Sequence, residues 1–287
     1  MRFENPLPDE HVNYSREHPL KELVWLLAGV MLVVAAVASV LGYFAGEIAA
    51  RVPFRVERDY AAGITTLWEN EKRTPQADEA RAALRAMAAK LAAAMDLPPD
   101  MTITVHYSDR GVPNAMATLG GNVVLYRGLI ERLHSEDALA VVLAHEMAHV
   151  SLRHPAAGLG RGVAVGITLS VVSAGLGRSM AGDPVQTAGV LPLLKYTRDQ
   201  ERAADAEALR AVAAVYGHLA GARELFNALA KIGGDDSARV TLLQTHPLTS
   251  ERLATVDALA RERGWALEGE VRPLPPALAR LQAAAER

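Results

Sequence analysis

The sequence predicts an α+β protein that is mainly helical, with a small β-sheet and one membrane-spanning helix near its N-terminus. Three observations lead there. An uncharged apolar run, LVWLLAGVMLVVAAVASVLGYFAG, fills Leu23 to Gly46. Apolar residues recur at three- and four-residue spacing in several alanine-rich stretches, as on one face of a helix. Only two short segments alternate or are β-branched in the manner of strands. The 287 residues allow one sizeable domain with an appendage, and 50% hydrophobic against 22% charged residues supports a filled core.

The apolar run is long enough for the ~30 Å hydrocarbon core of a bilayer, which takes about 20 residues in helix. Trp25 and the Tyr43-Phe44 pair lie near its ends, as interfacial anchors do. A cleaved signal peptide would have a shorter apolar region behind a basic leader. Here the leader, residues 1–22, mixes both signs of charge, so the run at 23–46 is expected to stay as a single-pass anchor in contact with lipid. Arg2, Arg16 and Lys21 precede it and Arg51, Arg55 and Arg58 follow it, a balance that leaves the orientation open.

Residues 47–60, with Pro53 and a run of charges, read as a linker. A domain over 61–264 follows, then a tail over 265–287. Gln76–Met95 carries Leu84, Met87, Leu91 and Met95 on one helical stripe. Met101–Tyr107 and Asn122–Tyr126 read as strands, the second entered through a Gly120-Gly121 turn. Ser135 can cap a helix over Glu136–Leu152, with Glu136 and Asp137 favouring the positive end of its dipole. Val163–Gly177, a glycine-rich apolar stretch between Arg161 and Arg178, is short for a straight span. A buried or lid-like helix is expected there, with a membrane-touching segment as the alternative. Further helices are expected over Asp199–Val215, Leu219–Lys231 and Ser250–Arg263.

The chain has no cysteine, which removes disulfides, thiolate nucleophiles and cysteine-ligated zinc. A net charge of -3 gives no footprint for a nucleic-acid partner. The chemistry points instead to His145-Glu146-Met147-Ala148-His149. Histidines four apart on a helix share a face and can ligate one zinc ion, while Glu146 can take a proton from the activated water and pass it to a leaving amine. The neighbours between Asp137 and Ser151 are otherwise apolar, and a buried carboxylate beside two histidines calls for a compensating cation. A third ligand is required. Glu201 is the leading candidate, with Asp205 one turn further on to orient a histidine, although Asp199, Glu201 and Asp205 also fit a solvated helix start. His154, before Pro155, reads as a helix-end residue facing the last carbonyls.

Four separated stretches then agree with one family. PNAMATLGG (113–121), HEMAHVSLRH (145–154), RDQERAADAEA (198–208) and HPLTSER (246–252) resemble the HtpX-like and CAAX-prenyl-protease-like zinc metallopeptidases of the gluzincin group. The resemblance implies a zincin-type catalytic domain with one Zn(2+) per chain on His145, His149 and Glu201. It further implies Glu146 as general base, Asp205 as support for the histidines, and His246 and Arg252 facing the cleft, with His246 stabilising the oxyanion. Asn114 and Ala115 match a stretch beside the edge strand that receives the substrate backbone, expected here near Met101–Tyr107. Met116 stands where the family has phenylalanine. The implied partners are extended or unfolded protein or peptide substrates, and the implied setting is the inner membrane of a bacterium, in membrane or envelope protein quality control. A membrane-tethered zinc chaperone with little proteolysis is the competing reading.

Overall fold

The computed structural model describes residues 19–69, 74–175, 196–236, 246 and 250–285. The predicted tail before 19, the end of the apolar stretch at 176–177, and residues 247–249 of the HPLTSER motif lie outside them.

Helix α1, Pro19–Arg51, holds the apolar run and is long and apolar enough to cross a membrane, with none of its apolar window buried. Pro53 lacks an N–H and disfavours helix at the residue before it, so α1 stops there. The next helix starts at once: α2 is Phe54–Glu69. The stretch read as a linker is therefore helical. Phe54, Glu57 and Ala61 form a buried face spaced three and four apart, which its many charges disguise.

Helix α3, Pro75–Ala94, begins at Thr74, whose hydroxyl accepts from the Ala77 N–H, with proline at the first position. Strands β1 (Thr104–Ser108), β2 (Ala115–Thr118) and β3 (Asn122–Tyr126) form a sheet in the order β1-β3-β2. β1 runs parallel to β3, with Val105 opposite Val123, and β2 runs antiparallel, with Met116 opposite Val124. The β2–β3 turn uses Gly120 at φ 71° and Gly121 at φ 80°, and a Cβ on Gly121 would stand 2.0 Å from the Thr102 carbonyl oxygen. Only glycine fits that corner.

After a short α4 (Arg127–Ile130), helix α5 (Glu136–Ser151) runs through the middle of the molecule, buried without interruption from Asp137 to Val150. It packs on β2, β3, α3 and the later helices α7 (Arg198–Tyr216) and α8 (Ala220–Asp236). Ser135 caps α5 as expected, accepting from the Ala138 N–H. Helix α6, His154–Gly175, leaves α5 through Arg153 at φ 60° and packs along α1.

The region read as a C-terminal tail is part of the body. After α9 (Ser250–Arg263), the Glu136 N–H donates to the Arg272 carbonyl and the Arg272 N–H to Asp137 Oδ2, strapping the chain across the start of α5. Helix α10, Pro276–Ala285, then buries Leu278 and Leu281 against α3 and α4.

Candidate metal centre

α5 presents His145 and His149 on one face, and α7 crosses it with Glu201 and Asp205 one turn apart on its buried side. Thr197 and Gln200 form a reciprocal capping box at the start of α7. That box fixes the turn from which Glu201 projects. His145, His149, Glu201 and His246 are all buried, and one donor atom from each lies within 4.8 Å of the others. The two histidine Nε2 atoms are 3.0 Å apart. Glu201 oxygens lie 3.5 Å from each of them. His246 Nδ1 is 2.9 Å from Glu201 Oε1 and 3.2 Å from His145 Nε2.

The outward nitrogens of the two histidines are held from behind. Asp205 Oδ1 sits 3.0 Å from His145 Nδ1. The Nδ1 atoms of His149 and His154 lie 2.8 Å apart. Burial pushes His154 down to about 4, so it is neutral and one of its ring nitrogens can accept. Both arrangements leave Nε2 facing the cluster, the tautomer a metal ligand needs. The expectation that His154 faces helix-end carbonyls is thus corrected: it is 7% exposed, and its ring packs edge-on against His149.

Arg252 closes the polar side. Its Nε and Nη2 donate to the two oxygens of Asp205 at 2.8 and 2.7 Å, and its Nη1 is 3.1 Å from Glu201 Oε2. For His145, burial acts downward, but hydrogen bonds to Asp205 and Glu201 outweigh it and raise the ring to about 9. Burial opposes the charged form of Glu201 too, yet bonds from three histidines hold its carboxyl far below the usual range. Asp205 is held low by His145 and Arg252 against the same burial. His149 is driven well below its ordinary value by burial.

Glu146 is fully buried, and neither of its oxygens has a hydrogen-bond partner among the described residues. His246 Nε2, 3.5 Å from Oε1, is the nearest cationic-capable group. An orphaned buried carboxylate beside convergent imidazole nitrogens and a second carboxylate fits a divalent cation with nitrogen and oxygen ligands. Alongside Glu146 a narrow cleft is walled by Val141 and Val142 of α5 and Leu225, Phe226 and Leu229 of α8.

Asn114 and Ala115 lie at the start of β2, a sheet edge packed on α5. β1, the edge expected to face substrate, is the other edge of the sheet and packs on α3, where Arg85 Nε donates to the Val105 carbonyl. One site residue escaped sequence reasoning entirely. Tyr196 stacks on His149 with ring centroids 3.8 Å apart, is 6% exposed, and its hydroxyl has no partner among the described residues. Burial raises its phenol well above the ordinary value, so it is a neutral donor. A lone tyrosine before a helix cap carries no signal that would have singled it out.

Comparison with known proteins accords with this geometry. The chain is 33% identical over 158 residues to a beta-barrel assembly-enhancing protease of Yersinia pestis, covering 49% of this chain and 31% of that one. It is 26% identical over 175 residues to the mitochondrial metalloendopeptidase OMA1 of Schizosaccharomyces pombe, covering 60% and 49%. OMA1 of Arabidopsis thaliana is 29% identical over 142 residues, covering 49% and 28%. The matched region spans less than half the length of each relative. The family described as peptidase family M48 matches residues 78–260, well over half of the chain, and the chain belongs to that family.

Proposed function

We propose that this chain is a zinc metalloendopeptidase held to a membrane by α1. The observation that carries the reading is the convergence of His145 Nε2, His149 Nε2 and the Glu201 carboxylate beside a fully buried Glu146 whose oxygens have no hydrogen-bond partner among the described residues. His145, His149 and Glu201 would hold the ion, and the bound zinc supplies Lewis acidity toward water and the scissile carbonyl. Glu146 accepts the proton of the attacking water and delivers it to the leaving amine nitrogen. Asp205 and His154 keep the histidine ligands in the right tautomer, and Arg252 holds Asp205 and Glu201 ionised.

His246 stands among the ligand atoms, so four protein groups surround the metal position, whereas catalysis needs one position for water. The oxyanion role suggested by family resemblance therefore requires His246 to draw back far enough to meet the substrate oxygen. An extended substrate would add to the edge at β2, next to Asn114 and Ala115. The apolar wall of the cleft suits a hydrophobic side chain beside the scissile bond. Proteins of the membrane or envelope are the expected substrates, by analogy with relatives named for β-barrel assembly.

Glu146→Gln tests this. The variant should keep about one zinc per chain, because no ligand is lost, and should cease to cut an unfolded test protein. Turnover by the variant at the wild-type rate overturns the mechanism. A wild type that binds zinc and unfolded chains but cuts neither them nor membrane proteins replaces it with the chaperone reading.

A further inference from the structure

We propose that α6 enters the bilayer beside α1, giving the chain a two-helix lipid-facing surface and holding the metal centre at the level of the headgroups. This placement rests on the reading of α1 as a membrane span and extends it to α6.

The two helices run antiparallel and in close contact. At the start of α6, Arg153 Nη2 donates to the carbonyl of Val52, just past the end of α1, at 2.7 Å. Further along, a Cβ on Gly160 would stand 2.4 Å from the Ala45 carbonyl oxygen and 2.7 Å from Ala49 Cβ. A Cβ on Gly46 would meet both the Ala157 carbonyl oxygen and Arg161 Cγ at 3.2 Å. As α6 advances, its neighbours on α1 recede towards the N-terminus. The shielded positions on α1 form one stripe, Val34, Ala38, Gly42, Ala45, Gly46 and Ala49, while the apolar surface from Leu23 to Val33 is open. At ~1.5 Å per residue that stripe is about 22 Å long, and α6 is about 33 Å long.

The polar boundary of α1 is at Glu47, which pairs with Arg51. Arg161 lies at the same height, against Gly46. Beyond Arg161, the described part of α6, Gly162 to Gly175, carries no charge. Any placement that puts Leu23–Gly46 in hydrocarbon therefore takes this segment with it. Two hydroxyls already meet the requirement for internal satisfaction in lipid: Ser39 donates to Ala35 O at 2.7 Å, and Thr168 to Ala164 O at 2.8 Å. Ile167, 48% exposed, faces outward and continues the open apolar surface of α1.

The consequence for function is positional. His154, which supports His149, begins α6, and only about 10 Å of helix separates it from the Arg161 boundary. Arg161 also donates to Gln200, next to Glu201, at 3.4 Å. Peptide bonds presented near the membrane surface, in segments emerging from the bilayer, are the class of substrate this placement serves.

Because the chain has no cysteine, single cysteines report cleanly. Val33→Cys on α1, Ile167→Cys on α6 and Glu268→Cys on the exposed body would be made in the full chain, in phosphatidylcholine–phosphatidylglycerol vesicles. A charged, membrane-impermeant maleimide should modify positions 33 and 167 at least about tenfold more slowly than 268, because hydrocarbon excludes it. A fluorophore attached at 33 or 167 should be quenched by bromine on the lipid chains. If 167 reacts like 268 while 33 is protected, α6 lies outside the bilayer and the proposal falls, with α1 still a span. If 167 is protected but not quenched, protein covers it, a second copy included, and the proposal falls likewise. If 33 also reacts freely, the membrane reading of α1 fails and takes the proposal with it.

Discussion

At the scale of single residues, the site is organised by charge compensation. In the metal-free protein His145, raised to about 9, keeps its proton at neutral pH between Asp205 and Glu201. A histidine with a raised value stabilises the fold below the ordinary imidazole range, and that stability is lost as pH rises through about 9. A metal ion must displace this proton. Zinc binding at pH 7.5 should therefore release about one proton, and apparent affinity should climb with pH until about 9. Calorimetry in buffers of different ionisation enthalpy measures this, and no proton release would mean that His145 is neutral before metal arrives. Arg252 is the other compensator. Arg252→Met keeps volume but leaves Asp205 and Glu201 buried without their guanidinium, at a cost of about 3–5 kcal/mol. The depressed carboxyls of the native protein give stability above the ordinary carboxylate range that is lost only on strong acidification. In the variant that protection shrinks, and the acid-unfolding midpoint should move up. His145, Glu146 and His149 were legible in the sequence because four-residue spacing is local. Glu201 and Asp205 were readable as candidates from their spacing on one helix, with a solvated helix start as the alternative, whereas Arg252 needed the family resemblance, since nothing local pairs a residue of α7 with one of α9.

At the scale of elements, α5 was readable because its Ser135 cap, its first-turn acids and its unbroken apolar run agree. β2 was not: Ala-Met-Ala-Thr has little of the β-branched and aromatic bulk that marks a strand, and it pairs only because β3 lies beside it. The 265–287 region looked like a tail because its prolines hide a strap and a short helix that only the core of α3 and α4 makes worthwhile. Helix caps give a direct test of how far α7 sets the metal centre. Thr197→Ala removes the hydroxyl half of the capping box, the bond accepted from the Gln200 N–H, and should cost about 1 kcal/mol. Its effect on zinc affinity should exceed that of an equally destabilising change far from α7, because the first turn carries Glu201. Equal effects on affinity would show that packing against α5 alone positions this carboxylate.

At the scale of the whole molecule, a long apolar helix was predicted from length and composition, but its attachment was not. Small residues along α1 and α6 permit close approach without naming a partner, and the charged stretch after Pro53 concealed α2. Helix α1 is bolted to the body at one corner. Arg153 donates to the Val52 carbonyl and pairs with Glu57 at 2.7 Å, while Glu57 accepts from the Gly120 N–H at 2.8 Å in the β2–β3 turn. The Arg153–Glu57 pair thus ties the end of α1, α2, the α5–α6 corner and the sheet together. Arg153→Gly separates the two duties of this residue. Glycine tolerates φ 60° better than arginine, so the corner between α5 and α6 should persist. The junction should not, because Glu57 is left 8% exposed with no cation. Burial already raises the Glu57 carboxyl even with Arg153 present. A raised carboxyl loses stability as pH climbs through its value, so the defect of the variant should be greater at pH 8 than at pH 5. Trypsin should then cut more quickly at Arg51, Arg55 or Arg58 at the higher pH, while zinc content stays unchanged. Unaltered cleavage there would mean that the packing of α6 on α1 holds the anchor by itself.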